Sequence, residues 1–469
     1  MLIEQIYTGC LAQGAYYIES NGEAAIIDPL REVQSYIDKA SANNSKIKYI
    51  FETHFHADFV SGHVTLAEKT NAPIIFGPNA NPTYKAHIAN DGEVFALGEI
   101  TIKVVHTPGH TMESTCYLLK DKSGKDLALF SGDTLFLGDV GRPDLAQKAA
   151  DMTKEQLAGT LYDSLRNKIM TLSDDVIVYP AHGAGSACGK NLSKETIGTI
   201  GNQKEVNYAL REDMTKEEFV KEVTDGLLPP PAYFPMNVKM NKEGYENVEN
   251  IVKDAIAFNP IMFELVANET DALVLDVRHE DDFVNGHLPK SIFIGINGNF
   301  APWVGALIVD IKQPILLVTP AGKEQETIMR LARVGYDNTL GYLEGGFDAW
   351  KKAGLEYDTV TSISADELEH KITENSLVFD VRKPGEYEAE HIVDVPSTPL
   401  QFLNDYLAEF PSKETFYIHC GGGYRSVIAI SILKARGYHN AVNVIGGFEE
   451  IKKTTIKTTN FVCPSTLKK

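Results

Sequence analysis

Histidine and aspartate collect at the ends of apolar runs in the first two hundred residues. His54, His56 and Asp58 stand in THFHADFVSGH, at the end of KIKYIFETH (46–54). His110 closes ITIKVVHTPGH (100–110), Asp133 closes LALFSGD (127–133) and His182 closes DVIVYPAH (175–182). Neutral imidazole and carboxylate are donors that first-row metal ions accept, and turns after buried strands can bring them from distant parts of the chain to one sheet edge. Taken alone, His110 or His182 is more often a turn cap. Six such groups together point to metal binding. His63 and His106 add no needed ligand and are read as structural.

A second chemistry lies near the other end. Cys420-Gly421-Gly422-Gly423-Tyr424-Arg425-Ser426 follows the strand-like FYIH and precedes the helix-like SVIAISILKARG. A cysteine at a strand-to-helix turn, with glycines that let amides point inward and an arginine closing the loop, suits a thiolate and an attached anion. Without the glycines and Arg425, Cys420 reads as a buried core thiol.

The elements that carry these groups fall into a long first part and a repeat. Short β-branched runs such as EAAIID (23–28) alternate with turns and helical stretches up to about residue 200, the pattern of an α/β or α+β layered domain. Leu227 to Asn241, with Pro229, Pro230, Pro231 and Pro235, is the best candidate for a linker. Beyond it, Asp276-Val277-Arg278 recurs as Asp380-Val381-Arg382, Gly335-Tyr336 as Gly437-Tyr438, and Gly345-Gly346-Phe347 as Gly446-Gly447-Phe448, at offsets of 104, 102 and 101. Such a period is too long for a solenoid, so two tandem copies of one small βαβ-type domain meet around Gly354 to Ser364.

Composition narrows the functional classes. The 469 residues suggest about three domains. A hydrophobic fraction of 43% and a charged fraction of 23% are those of globular protein. A net charge of −20 repels nucleic acid and anionic lipid, and no basic patch reverses it. Five scattered cysteines do not form a disulfide scaffold and suit a reducing compartment. The N-terminus shows no leader pattern and no apolar run approaches 18 residues. A cytoplasmic protein with no nucleic-acid or membrane partner is expected.

The four histidine and aspartate blocks resemble the metallo-β-lactamase fold, whose motif is H-x-H-x-D-H followed by distant His, Asp and His. The resemblance covers about residues 1–225, with Phe59 where the motif has its next histidine. It implies an αββα sandwich. The flanking blocks SGDTLFLGDVGRPDL and YPAHGAGSACG resemble persulfide dioxygenases, relatives of glyoxalase II. That resemblance implies one Fe(II) per chain on His54, His110 and Asp133, a set expected of non-haem oxygenases. His56, Asp58 and His182 would orient ligands or substrate, or hold a second metal. By the same similarity Arg142 faces the substrate entrance and grips an anionic thiol carrier; a structural arginine bridging loop carbonyls is the alternative. Cys188 would hold sulfur transiently, with an inert thiol as the alternative.

The loop Cys420–Ser426, with Asp380, Arg382, Glu386 and Tyr387 upstream and the glycine-glycine-phenylalanine landmark downstream, resembles a rhodanese. The resemblance implies that Cys420 carries sulfane sulfur as a persulfide, cradled by the amides of Gly421, Gly422, Gly423 and Tyr424 and by Arg425. A phosphatase reading of C-x4-R exists, but the phosphatase loops have one more residue before arginine. The first copy reads ILLVTPAGKEQE (315–326) at the corresponding place, without cysteine or arginine.

The expected architecture is therefore a metallo-β-lactamase-fold domain over 1–235 with a linker from about 227, a catalytically inactive rhodanese-like α/β domain over 250–357, and an active one over 360–469. The expected activity is oxidation of a low-molecular-weight thiol persulfide by O2 to sulfite, coupled to sulfur transfer giving thiosulfate, in a homo-oligomer. Two alternatives stand beside it: a zinc-dependent thioester hydrolase of glyoxalase II type, and a non-enzymatic sulfur carrier or redox sensor.

Overall fold

The computed structural model describes residues 1–190, 192–373 and 376–463, so the last six positions of the expected 360–469 domain lie outside the described residues. The chain divides into two compact units, Met1–Val248 with Ala332–Gly335, and Glu249–Leu331 with the residues from Tyr336 onward.

In the first unit one sheet orders β1 (Leu2–Thr8), β2 (Gln13–Ser20), β3 (Glu23–Ile27), β4 (Lys46–Phe51), β5 (Ile74–Phe76) and β6 (His87–Ile88) consecutively. The other runs from β7 (Val94–Leu97) through β8 (Ile100–His106), β9 (Thr115–Lys120), β10 (Asp126–Gly132) and β11 (Ile177–Pro180) to β12 (Gly198–Thr199). Side chains alternate across a strand. Tyr16 and Ile18 of β2 therefore meet Ile102, Tyr117 and Phe130 of the other sheet, while Ala15 and Tyr17 turn outward to Tyr36, Ala40 and Leu66 of the helices Gln34–Ala42 and His63–Thr70. On the far face, Leu118 and Leu129 pack on Ala158, Leu161, Phe219 and Val223 of the helices Lys154–Ser164 and Lys216–Thr224. Burial of both faces of each sheet explains why its strands read as nearly continuous apolar runs. The result is an αββα sandwich.

Strand direction places the chemistry. β10 is parallel to β11 and antiparallel to β9, which is antiparallel to β8, so β8, β10 and β11 all leave the sheet at the same edge. His110, Asp133 and His182 follow their C-terminal ends.

The proline-rich segment expected to be a linker carries no helix or strand over residues 227–233 but departs from expectation beyond them. Phe234–Glu243 is a helix with proline in its first turn, where a missing N–H costs no hydrogen bond. The helix packs into the first unit, which extends to Val248.

The second unit holds two parallel sheets, ordered β13 (Ile256–Phe258), β17 (Thr339–Leu343), β16 (Ile315–Val318), β14 (Leu273–Asp276), β15 (Ile292–Phe293) in one and β18 (Ser362–Ile363), β21 (Ala441–Val444), β20 (Phe416–His419), β19 (Leu377–Asp380) in the other. The sequence landmarks are partners within each copy. Arg278 bonds both Asp276 oxygens and the Gly286 carbonyl and lies 4.5 Å from the Phe347 ring centre. Arg382 does the same with Asp380, the Glu390 carbonyl and Phe448, at 3.8 Å. A bidentate ion pair capped by an aromatic face thus ties the end of one strand to the last turn motif of each copy. No helix among the described residues is long and apolar enough to cross a membrane.

Candidate metal centre and cysteine loop

The strand ends bring His54, His110 and Asp133 together, and beside them His56, Asp58 and His182, the ligand atoms within each trio lying within 4.8 Å of one another. Asp133 stands between them: its Oδ2 is 3.4 Å from His110 Nε2 and 3.8 Å from His54 Nε2, and its Oδ1 is 3.5 Å from His182 Nε2. All six residues are buried. Both Asp133 oxygens, Asp58 Oδ1 and His182 Nε2 are buried without a hydrogen-bond partner among the described residues. Such groups are costly unless something else satisfies them, and two histidines with a carboxylate fit a first-row divalent metal ion.

Neighbours set the tautomers these donors need. Thr53 Oγ1 donates to Asp28 Oδ2 at 2.9 Å and so accepts from His54 Nδ1 at 3.0 Å. His110 Nδ1 donates to the Arg142 carbonyl at 2.9 Å and His182 Nδ1 to that of Ala12 at 3.3 Å. With each proton on Nδ1, Nε2 carries the lone pair toward Asp133. Burial, reinforced by the surrounding imidazoles, also pushes His54 well below the ordinary histidine range, which keeps it neutral. Gly132, at φ +53°, lets the chain pass Thr53 so closely that a Cβ would come 2.7 Å from Thr53 Cβ.

His56 differs. Its Nε2 faces Asp28 Oδ1 at 3.1 Å and Glu52 Oε2 at 3.8 Å. Burial alone would lower its pKa, but Asp28 overrides this and pushes it up to about 9. Phe59 lies with its ring centre 4.5 Å from that of His56. Asp28 and Glu52 were not singled out in the sequence; their only signal was an acidic residue at the end of each of two buried strands.

A further contributor without a sequence signal is Asn241, on the unexpected helix. Its Nδ2 donates to the carbonyls of His56 and Phe59, both at 2.8 Å, and its Oδ1 accepts from Ser61 N at 2.9 Å. Tyr233, two turns earlier, donates to the Asp58 carbonyl at 3.2 Å. This helix face braces the ligand loop.

Arg142 has the contacts of the second of its two expected roles. Its guanidinium spends four donors on protein: Nε and Nη2 on the Asp144 carboxylate at 2.7 and 2.8 Å, Nη2 on Leu228 O at 2.5 Å and Nη1 on Ala187 O at 3.3 Å. Only 6% of the residue is exposed. It bridges loop carbonyls and the Asp144 carboxylate. Cys188 lies with Asp133 and His182 inside the same 4.8 Å limit, and burial, helped by Asp58 and Asp133, raises its thiol pKa well above the ordinary range. His63 bonds Tyr84 and His106 bonds the Met112 carbonyl, as structural residues do.

In the second unit Cys420 follows β20 directly and is buried. Gly423 N donates to Cys420 Sγ at 3.1 Å, and Ser426 Oγ lies 3.7 Å from the sulfur. The repeated glycine-glycine-phenylalanine turn closes on this loop: Phe448 N donates to Cys420 O at 2.6 Å and Glu449 N to Gly421 O at 3.1 Å. Gly447, at φ +55°, allows that approach, since a Cβ there would sit 2.4 Å from Cys420 O. Arg425, expected to cradle sulfur, pairs with Glu386, and the Gly423 amide donates to the sulfur directly. Burial raises the Glu386 pKa, but Arg425 outweighs it and the net shift is downward, so both partners stay charged.

Both units resemble known families. The Metallo-beta-lactamase superfamily profile matches residues 8–182, and the Rhodanese-like domain profile matches 264–353 and 364–454. The crystal structure of a metallo-β-lactamase from Staphylococcus aureus subsp. aureus COL is 32% identical over 73% of this chain and 98% of that one, with a TM-score of 0.65. ETHE1 from Myxococcus xanthus is 27% identical over 52% of this chain and 98% of that one, with a TM-score of 0.44. A hydroxyacylglutathione hydrolase of Francisella philomiragia is 33% identical over 36% of this chain and 61% of its own length. The chain belongs to the metallo-β-lactamase superfamily and carries two rhodanese-like domains after its metal-binding unit.

Proposed function

We propose that this protein is a persulfide dioxygenase with a sulfurtransferase on the same chain. The reading rests on one observation: two imidazoles with free Nε2 atoms and one carboxylate converge in a buried site, in a chain that also carries a thiol poised in a glycine loop. His54, His110 and Asp133 would hold one Fe(II), which supplies dioxygen activation and Lewis acidity when bound. The net reaction is RSSH + O2 + H2O → RSH + H2SO3, so the outer sulfur is oxidised and the thiol is released. The walls formed by His56, Asp58 and His182 orient the substrate's polar atoms, and the buried setting excludes bulk water.

Cys420 then attacks the outer sulfur of a second persulfide, taking it as Cys–S–SH and releasing RSH. Sulfite attacks that sulfur, giving thiosulfate and returning the thiol. The Gly423 amide stabilises the sulfur anion in both steps. The expected partners are therefore a small thiol persulfide, O2, sulfite and thiosulfate. Cys420→Ser should leave persulfide oxidation intact and abolish thiosulfate formation; an unchanged thiosulfate yield overturns the role of Cys420.

The second trio, His56, Asp58 and His182, supports another reading: a zinc-dependent thioester hydrolase in which these residues would hold a second ion beside the first. Metal content distinguishes the two, one iron per chain against two zinc.

A further inference from the structure

The cysteine-free copy has no residue for sulfur transfer, yet it grips the helix that starts at the cysteine loop. Tyr424, the first residue of the helix Tyr424–Ala435, donates its hydroxyl to the Gly295 carbonyl of that copy at 3.0 Å. Its ring packs edge-on against Phe293, 5.6 Å between centres. Gly298 is so close that a Cβ would fall 2.5 Å from Tyr424 Cζ and Oη. Two turns on, Ser431 Oγ accepts from Phe293 N at 2.9 Å, and Lys434 pairs with Asp358, in the segment joining the copies, at 2.9 Å. Immediately before the helix, Gly423 donates its amide to Cys420 Sγ. Tyr424 is therefore one peptide bond from the group that touches the sulfur.

We propose that the cysteine-free copy is a positioning device for Cys420, and that Tyr424 is the residue through which it holds the Gly423 amide on the sulfur. Rigid attachment at three places along one helix fixes its first turn, and a donor fixed before reaction costs no reorganisation when charge develops on sulfur. An ordinary packing contact would stabilise the unit without altering the thiol. Tyr424 is a positioning residue, since it makes no contact with the sulfur. The proposal extends the reading of Cys420 as the sulfur carrier.

The test uses the full chain and two variants on opposite sides of the contact: Tyr424→Phe, which removes only the hydroxyl, and Gly298→Ala in the cysteine-free copy, which pushes the ring away. The readout is alkylation of Cys420 by iodoacetamide as a function of pH, followed on the peptide containing Cys420 by mass spectrometry, beside transfer of sulfur from thiosulfate to cyanide. Arg425, Glu386, His419, Asp380, Arg382 and Glu449 around the loop, and Glu280 near Tyr424, are the same in all forms. Loss of a hydrogen bond to the thiolate should move the alkylation midpoint up by about half a unit to one unit in either variant. Sulfur transfer at neutral pH should fall about fivefold in kcat with little change in KM, while Tyr424→Phe unfolds within a few degrees of the parent.

Alkylation profiles that superimpose on the parent in the folded Tyr424→Phe variant overturn the proposal, even if Gly298→Ala fails to fold. Because alkylation needs no turnover, the proposal stands or falls on it separately from the sulfur-carrier reading. That reading fails instead if the parent transfers no sulfur, or if Cys420→Ser transfers it equally well.

Discussion

Arg425 of the cysteine loop is clasped by the Glu386 carboxylate, Nη1 to Oε2 at 2.5 Å and Nη2 to Oε1 at 2.8 Å. The pair places a negative charge beside a loop that must accept anions, and it fixes the plane of the guanidinium. Glu386→Gln removes the charge while keeping the shape. A unit charge felt through solvent from about 4 Å is worth about 1 kcal/mol, so KM for thiosulfate should fall about fivefold, with a steeper dependence on ionic strength. Steady-state sulfur transfer to cyanide at two salt concentrations checks this; an unchanged KM would mean that the carboxylate is not felt by the bound anion.

Asn241 satisfies two carbonyls and one amide of the ligand loop at once. Asn241→Leu leaves all three buried without partners, a loss of about 2–4 kcal/mol. The metal-free first unit should unfold earlier by that amount, and metal retention should weaken. Urea denaturation with and without chelator, beside a metal count, reports both.

Arg142→Met separates the brace from the substrate grip. Its guanidinium ties Asp144, Ala187 and Leu228, and its carbonyl receives His110 Nδ1. The carbonyl remains when the side chain is removed, but the loop that carries it loosens, so metal affinity should fall by up to about 10-fold, the low end of the cost of losing a ligand's partner outright. A substrate-gripping arginine would instead raise KM for an anionic persulfide at unchanged metal content.

His287 makes the second unit sensitive to acid. The imidazole is stacked on Phe283, 3.9 Å between centres, donates to the Phe283 carbonyl, and burial pushes its pKa down to about 4. Because the folded value lies below the unfolded value of about 6.5, the unfolded chain binds the extra proton. This stability is complete above pH 6.5, falls as pH drops through the window from 6.5 to 4, and amounts to about 3 kcal/mol. Urea midpoints at pH 7, 5.5 and 4.5 should decline across that window, and His287→Gln should flatten the decline.

What was legible in the chain follows physical lines. His54, His110, Asp133 and Cys420 could be read because each stands where an apolar strand stops, and because chemistry restricts which residue types serve there. The paired landmarks of the two copies were legible as repetition, though their partnership, Arg278 with Phe347 and Arg382 with Phe448, shows only in three dimensions. Asn241 was hidden because it braces residues about 180 positions away, from a segment whose prolines read as a break in structure. Arg142 had two roles compatible with one local sequence, and only its partners decide between them. Asp28 and Glu52 were indistinguishable from ordinary strand-end acids.

Oxygen consumption by the full chain, loaded with iron and given glutathione persulfide, tests the central claim most directly. The account predicts one O2 consumed per sulfite formed, with one iron per chain, and loss of both when Asp133 is replaced by alanine. Absence of oxygen uptake, with two tightly held zinc ions and rapid thioester hydrolysis, would contradict it.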